Sequence, residues 1–166
     1  MNQVQMITLE LQQEAATTRK MLERVPQDDF DWKPHEKSMT LGRLAAHVAG
    51  LHGTWLLTAL TESEFDLGDS LPLKADTVPE ILEAFDRDIA RAVELLKTQT
   101  DERMSEKWRL KRGDAVLFEL PRWAVIRSMV INHIIHHRGQ LSVYLRLRNV
   151  PLPPVYGPTA DEMPAF

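Results

Sequence analysis

The sequence predicts an all-α fold, an antiparallel four-helix bundle that forms a single domain over residues 1–166. Two observations lead to this prediction. Four segments of about 20 residues carry apolar side chains three or four positions apart, a spacing that forms one apolar stripe along a helix. Long connections rich in polar residues, glycine and proline separate these segments, and 166 residues suit one ordinary domain.

The first two helices have recognisable ends. The first covers residues 4–25, and Pro26 ends it because proline lacks a backbone N–H and clashes with the preceding turn. A polar loop with two aromatic anchors follows. Thr40 is the predicted N-cap of the second helix, because its hydroxyl can accept a hydrogen bond from a free backbone N–H. This second helix fades near Leu60.

The third helix begins at a TVPE motif, in which Thr77 and Glu80 form a capping-box pattern. Between Thr98 and Pro121 the apolar period changes to alternation around LKRGDA, which predicts a short hairpin or an extended excursion.

A fourth helix, from about Arg122 to Arg148, is apolar over much of its circumference, which is typical of a central helix. The remaining residues, NVPLPPVYGPTADEMPAF, contain five prolines and cannot form a regular helix. We therefore expect an extended proline-rich tail that runs over the surface of the bundle.

The composition excludes several classes of protein. There is no cysteine, so disulfides, thiolate-ligated zinc, iron–sulfur clusters and a cysteine nucleophile are all excluded. The net charge of −4 argues against a nucleic-acid partner. No segment has the pattern of a signal peptide or a membrane span, so we expect no membrane partner and a cytoplasmic location.

Residues 132–140, NHIIHHRGQ, hold three of the six histidines. His133 and His137 are four positions apart, so their side chains share a helix face and can bind one cation together. His136 offers another pairing with His133, at a spacing of three, which spacing alone does not exclude. A third ligand must come from another helix. His47 is the best candidate, because it lies on or beside the apolar stripe of the second helix.

Hydrogen bonding is the competing interpretation of these histidines, since carbonyls or carboxylates commonly satisfy imidazoles on a buried face. His35, in a polar loop, and His52, well round the second helix from His47, are interpreted as bystanders. Other motifs are absent from the sequence, namely the Glu-x-x-His pairs of di-iron bundles, HExxH, a Walker A loop, GxGxxG and G-x-S-x-G.

Two segments, PHEKSMTLGRLAAHVAG and NHIIHHRGQLSVYLRLRNVPLPPVYGP, resemble the DinB/YfiT-like superfamily of damage-inducible, metal-binding four-helix-bundle proteins. The resemblance runs over nearly the whole chain and includes the HRGQ turn, the YLR that follows it and the proline-rich YGP segment. It implies a homodimer, and one divalent metal ion per site, nickel or zinc, held by His47, His133 and His137.

The resemblance also implies an activity. Better understood members of the superfamily are S-transferases and isomerases that use a low-molecular-weight thiol such as bacillithiol, mycothiol or glutathione. Three histidine ligands leave a coordination position open, where a cation can activate a thiol or water. We therefore expect a metal-dependent thiol S-transferase acting on small molecules; the alternatives are a metal-dependent hydrolase or a non-catalytic dimeric stress-response bundle. Asn132 and Gln140 flank the histidine pair and are candidates for orienting it.

Overall fold

Four long helices form the body of the molecule in the computed structural model, which describes residues 1–164. The α-helical segments of this part of the chain are α1 (Gln3–Leu22), α2 (Leu41–Leu51), α3 (Leu57–Thr61), α4 (Val78–Leu96), α5 (Asp101–Ser105), α6 (Arg122–Val125) and α7 (Asn132–Leu147). None of the described helices combines the length and the hydropathy needed to span a bilayer.

Two π-helical turns join α-helical segments into longer helices. His52–Leu56 joins α2 to α3, and we call residues 41–61 the second bundle helix. Ile126–Ile131 joins α6 to α7, and we call residues 122–147 the fourth bundle helix. The four predicted helices are thus confirmed with ends shifted by a few residues, but neither π-helical turn has a signature that the apolar period reveals.

Two of the predicted caps are present. The Thr77 side chain accepts a hydrogen bond from the N–H of Glu80, whose own side chain accepts from the Thr77 N–H, which completes a capping box at the start of α4. Thr40 caps α2 by accepting from the N–H of Arg43. Local sequence therefore fixes where the second bundle helix and α4 begin.

The direction of the helices corrects the prediction of an antiparallel bundle. α1 packs between α4 and the fourth bundle helix, and the second bundle helix packs between the same two elements on the opposite side. Glu10 pairs with Arg127, and Glu14 pairs with Arg138. Residue numbers therefore increase in the same direction along α1 and the fourth bundle helix. These two neighbours are therefore parallel.

The second bundle helix and α4 are also parallel neighbours. The ring of His52 packs against Phe85, and Gly53 lies against Asp88, so residue numbers again increase in the same direction along both helices. The physical reason is the connection over residues 62–77, which returns along the bundle before α4 begins. The remaining neighbouring pairs are antiparallel, as predicted.

A small three-stranded sheet corrects the all-α prediction. Its strands, in spatial order, are β1 (Glu64–Asp66), β2 (Lys107–Arg112) and β3 (Ala115–Pro121). β2 and β3 form the predicted hairpin, which turns at Gly113 with a positive φ of 57° that glycine adopts readily. β1 pairs in parallel with β2 and was not predicted, because three residues are too few to show alternation.

The core lies between the four helices, and the end of the chain contributes to it. Residues 149–164 form no helix or strand, and in place of the predicted extended, proline-rich tail over the surface they form a segment that packs in part against the bundle. Val150, Leu152 and Val155 pack against the core, and Pro153 is buried. The Tyr156 hydroxyl donates to the carboxylate of Glu14 on α1 at 2.8 Å, which attaches this segment to the bundle.

Candidate metal centre

Three histidines from two neighbouring helices converge inside the bundle. His47 comes from α2, and His133 and His137 come from α7. One ring nitrogen from each lies within 4.8 Å of the others. Nε2 of His133 is 3.4 Å from Nε2 of His47 and 2.8 Å from Nε2 of His137. The structure thus brings together the three residues that the sequence selected, and we call them the histidine cluster.

The helices explain this convergence. A spacing of four places His133 and His137 one turn apart on the same face of α7. α2 packs antiparallel against that face and presents His47 to it. The π-helical turn Ile126–Ile131 ends directly before α7. Because a π-helical turn holds more residues than an α-helical one, it sets which face of α7 meets α2, and such turns are frequent at functional sites.

A hydrogen bond on the far side of one ring orients part of the cluster. Nδ1 of His137 donates to Oε1 of Gln140 at 2.7 Å. Since an amide oxygen only accepts, this bond holds the ring proton of His137 outward. The Nε2 lone pair of His137 consequently faces the centre of the cluster, as a metal-binding histidine requires.

All three imidazoles are held in the neutral form. Burial, together with the neighbouring His137 and His133 rings and the Arg43 guanidinium, lowers the pKa of His47 to about 4. Burial, together with neighbouring imidazoles, also lowers the pKa of His133 and of His137. Neutral imidazole is the form that binds a metal ion, so the cluster is ready for one near neutral pH.

The donor geometry fits a single divalent cation. Two nitrogens bound at about 2.0–2.1 Å to one tetrahedral ion lie about 3.4 Å apart. The His47–His133 pair already has this separation of 3.4 Å. Nε2 of His133 and Nε2 of His137 are only 2.8 Å apart, so a cation between them requires an opening of a few tenths of an ångström. Among residues 1–164, the side chains placed to bind this cation are the three imidazoles, and no carboxylate belongs to the group.

Two cavities open on either side of His47. The larger, about 780 Å³, lies towards the start of α2, and its charged lining residues are Asp31, Arg43, Lys74 and Asp76. The smaller, about 230 Å³, is lined mainly by apolar side chains, including Leu51, Trp55 and Leu71. Pro72 and Leu73 line both cavities, so the connection over residues 62–77 separates them. A small molecule can therefore approach His47 from either side of that connection.

The other candidate residues do not join the cluster. The ring of His136 is 4.8 Å from that of His137, but no nitrogen of His136 belongs to the cluster. His52 is buried against Phe85, and His35 is exposed in its loop, so both lie outside the site as predicted. The side chain of Asn132 bonds Arg127 instead of an imidazole. Of the two flanking polar residues, only Gln140 contacts the cluster.

Sequence reasoning missed Arg43 and the connection that closes over His47. Arg43 had a detectable signal, because it precedes His47 by four positions, the same spacing that links His133 to His137. The connection had none, since its apolar residues lie in a polar, proline-containing segment. Only the return of the chain along the bundle places Pro72 and Leu73 beside the cluster.

Comparison with known proteins agrees with this architecture. An uncharacterized protein of Bacillus subtilis (strain 168), YrdA, is 28% identical over 161 residues, which cover 92% of this chain and 87% of YrdA. The crystal structure of a DinB-like protein from Bacillus subtilis aligns with a TM-score of 0.71 at 19% identity, over 91% of this chain and 97% of that one.

A second structure carries a functional description. YfiT from Bacillus subtilis, described as a probable metal-dependent hydrolase with an unusual four-helix bundle topology, aligns with a TM-score of 0.65 at 16% identity. The alignment covers 88% of this chain and 87% of YfiT. At these identities the structural likenesses show the fold. The family model of the DinB family matches residues 1–164, and the chain therefore belongs to the DinB family.

Proposed function

We propose that this protein is a metal-dependent enzyme that acts on small molecules, with His47, His133 and His137 holding one divalent cation. The observation that carries the proposal is the convergence of three neutral imidazoles within 4.8 Å beside two open cavities. The fold fixes the relative positions of the three imidazoles, because both α2 and α7 are anchored in the core. Zinc and nickel are the proposed metals, since both accept imidazole ligands readily.

The protein's own residues perform three tasks in this proposal. The histidine cluster binds the cation, and Gln140 orients His137. A cation with only three protein ligands keeps a position for a substrate, and it lowers the pKa of a thiol or a water molecule bound there. The cavities beside His47 supply room for the second reactant.

Thiol S-transfer is the proposed reaction, and a low-molecular-weight thiol is the proposed substrate. The sequence resemblance to the DinB/YfiT-like superfamily supports this choice. Hydrolysis is the second candidate, favoured by the description of YfiT as a probable metal-dependent hydrolase. Both reactions use the same metal centre. They differ in the molecule bound at the open coordination position, which is a thiol in S-transfer and water in hydrolysis.

Elemental mass spectrometry on tag-free protein tests the metal site directly. We expect about one divalent ion per chain, lost in both His47→Ala and His133→Ala. His136→Ala is the matched control, because it removes an imidazole from the same helix but outside the cluster. Retention of the metal in His47→Ala and His133→Ala, or its loss in the control, would show that the ligands are other residues.

Turnover assays then separate the two reactions. Metal-loaded protein is incubated with an electrophile and glutathione, bacillithiol or mycothiol, and separately with ester and amide substrates without thiol. Product that requires the thiol and disappears in His133→Ala supports S-transfer. Product that forms without thiol and needs the same histidine supports hydrolysis. Absence of both, with metal bound, supports the non-catalytic bundle instead.

The proposed setting is a homodimer in the cytoplasm, and its support is the sequence resemblance together with the lack of cysteine. Light scattering coupled to size-exclusion chromatography measures the assembly. A mass twice that of the 19.0 kDa chain is expected. A monomer at micromolar concentration would contradict the dimer without affecting the metal site.

A further inference from the structure

Arg43 lies beside the histidine cluster and forms no ion pair with any residue of the described range 1–164. Most arginines in residues 1–164 pair with carboxylates, and the exceptions are Arg43, Arg91 and Arg112. Of these three, only Arg43 lines a cavity that also contains His47. Asp31 and Asp76 line the same cavity, yet neither of these two described carboxylates forms an ion pair with Arg43.

The position of Arg43 relates it directly to the proposed chemistry. It precedes His47 by four positions on α2, so the two side chains lie on one helix face, with Cβ atoms about 6 Å apart. A guanidinium presents a planar fork of N–H donors that matches the two oxygens of an oxyanion. Because α2 is anchored in the core, the backbone of Arg43 stays at a fixed distance from the cluster, and its exposed side chain can extend along the cavity.

The rest of the cavity indicates the charge of the bound group. Lys74, on the connection over residues 62–77, adds a second cation to the lining. Asp31 and Asp76 add two negative charges, which disfavour a dianion more strongly than a monoanion. A carboxylate therefore suits this cavity better than a doubly charged phosphate.

We propose that Arg43 determines substrate specificity by binding a carboxylate group of the small molecule whose reactive atom lies at the histidine cluster. The proposal rests on the function proposed above, and it adds the chemical class of the substrate. The substrate would carry its carboxylate a few bonds from its reactive atom, since Arg43 and His47 are one helical turn apart. Lys74 would support the same charge from the opposite wall.

Binding of two matched thiols to cobalt-substituted protein tests this inference. The probes are 4-mercaptobutyrate and 4-mercapto-1-butanol, which differ in the carboxylate, and sulfur-to-cobalt absorption reports binding of either. The variants are Arg43→Gln, which removes the charge, and Arg43→Lys, which keeps it. Arg91→Gln is the matched control, because Arg91 is an exposed arginine without an ion-pair partner in residues 1–164 and does not line the cavity.

We expect the parent protein and Arg91→Gln to prefer the carboxylate probe by about tenfold or more, the effect of one charge-assisted hydrogen bond. Arg43→Gln should lose this preference while it keeps its cobalt content and its affinity for the uncharged probe, and Arg43→Lys should keep part of it. Equal preference in Arg43→Gln and the parent would overturn the role of Arg43. Tighter competition by inorganic phosphate than by acetate would overturn the carboxylate assignment.

The experiment also separates this inference from the proposed function. If cobalt does not bind to the parent protein, or if neither thiol produces the absorption, the metal-dependent function itself fails. If cobalt binds and both thiols bind equally well, the metal centre stands and only the assignment of Arg43 fails.

Discussion

Nδ1 of His137 donates a hydrogen bond to Oε1 of Gln140 at 2.7 Å, three positions further along α7. This bond fixes both the orientation of the ring and the nitrogen that carries its proton. It leaves the Nε2 lone pair directed at Nε2 of His133, 2.8 Å away. The NHIIHHRGQ segment therefore contains two ligands of the candidate metal centre and also the residue that orients one of them.

Replacing Gln140 should weaken metal binding without abolishing it. Gln140→Met removes the acceptor at similar size, so the His137 ring gains rotational freedom, and we expect the affinity for zinc to fall about 10- to 100-fold. Competition with a chromophoric chelator measures the change. Gln12→Met, at an exposed position of α1, is the control and should bind zinc like the parent. Equal affinities in the two variants would mean that Gln140 does not orient the ligand.

Metal removal should leave the protein folded but less resistant to heat. The buried apolar residues of the four helices form one continuous core, so the fold does not depend on the cation. We expect chelator to leave the helical circular dichroism at 25 °C unchanged while it lowers Tm, because the cation binds the folded state alone. His133→Ala provides the comparison, since chelator should not shift its Tm. Unfolding of the parent on chelation would show that the metal is structural.

The buried ring of His52 should make stability depend on pH. His52 is 1% exposed, and burial lowers its pKa from 6.5 to about 4. Between these two values the unfolded chain binds more protons than the folded one, so stability is fully present above pH 6.5 and falls as the pH drops towards 4. The loss between about pH 7.5 and pH 4.5 should be about 2–3 kcal/mol from this residue.

Urea unfolding of the parent and of His52→Leu, both with chelator present, isolates that contribution. Other titrating groups are common to the two proteins, so their effects cancel in the comparison. The variant should lose about 2–3 kcal/mol less stability than the parent over the same pH interval. If the two free energies of unfolding change in parallel with pH, His52 does not control acid stability.

A buried ion pair attaches α7 to α1 next to the metal centre. Arg138 is 2% exposed and contacts the carboxylate of Glu14 at 2.7 Å, the hydroxyl of Thr18 at 3.1 Å and the hydroxyl of Tyr156 at 2.7 Å. Arg138→Met should destabilise the protein by about 3–5 kcal/mol, because it leaves a buried carboxylate without its counter-charge. Tyr156→Phe removes one neutral partner and should cost about 1 kcal/mol.

The double variant Arg138→Met/Glu14→Leu checks that reason. Removing both charges should recover much of the stability that Arg138→Met loses, since no uncompensated carboxylate remains. Urea unfolding measures all of these variants under one condition. A double variant less stable than Arg138→Met would show that packing, and not the unpaired charge, dominates the loss.

Local patterns in the sequence determined much of this protein. Apolar stripes determined the four bundle helices, and Thr40 and Thr77 determined two of their starts, because a cap depends on neighbouring residues alone. Alternation identified the hairpin of β2 and β3. The spacing of His133 and His137 placed two imidazoles on one face, since a helix repeats nearly every fourth residue. The lack of cysteine restricted any metal ligand to nitrogen or oxygen.

Only the tertiary structure decided how these parts meet. The parallel packing of α1 with the fourth bundle helix depends on the path of the connections, which no local period encodes. The parallel pairing of β1, the packing of Val150, Leu152 and Val155 against the core, and the approach of residues 72–73 to His47 arise from contacts between residues far apart in the chain. Sequence spacing made His136 and His137 alternative partners of His133. The packing of α2 against one face of α7 places His137, and not His136, in the cluster with His47 and His133.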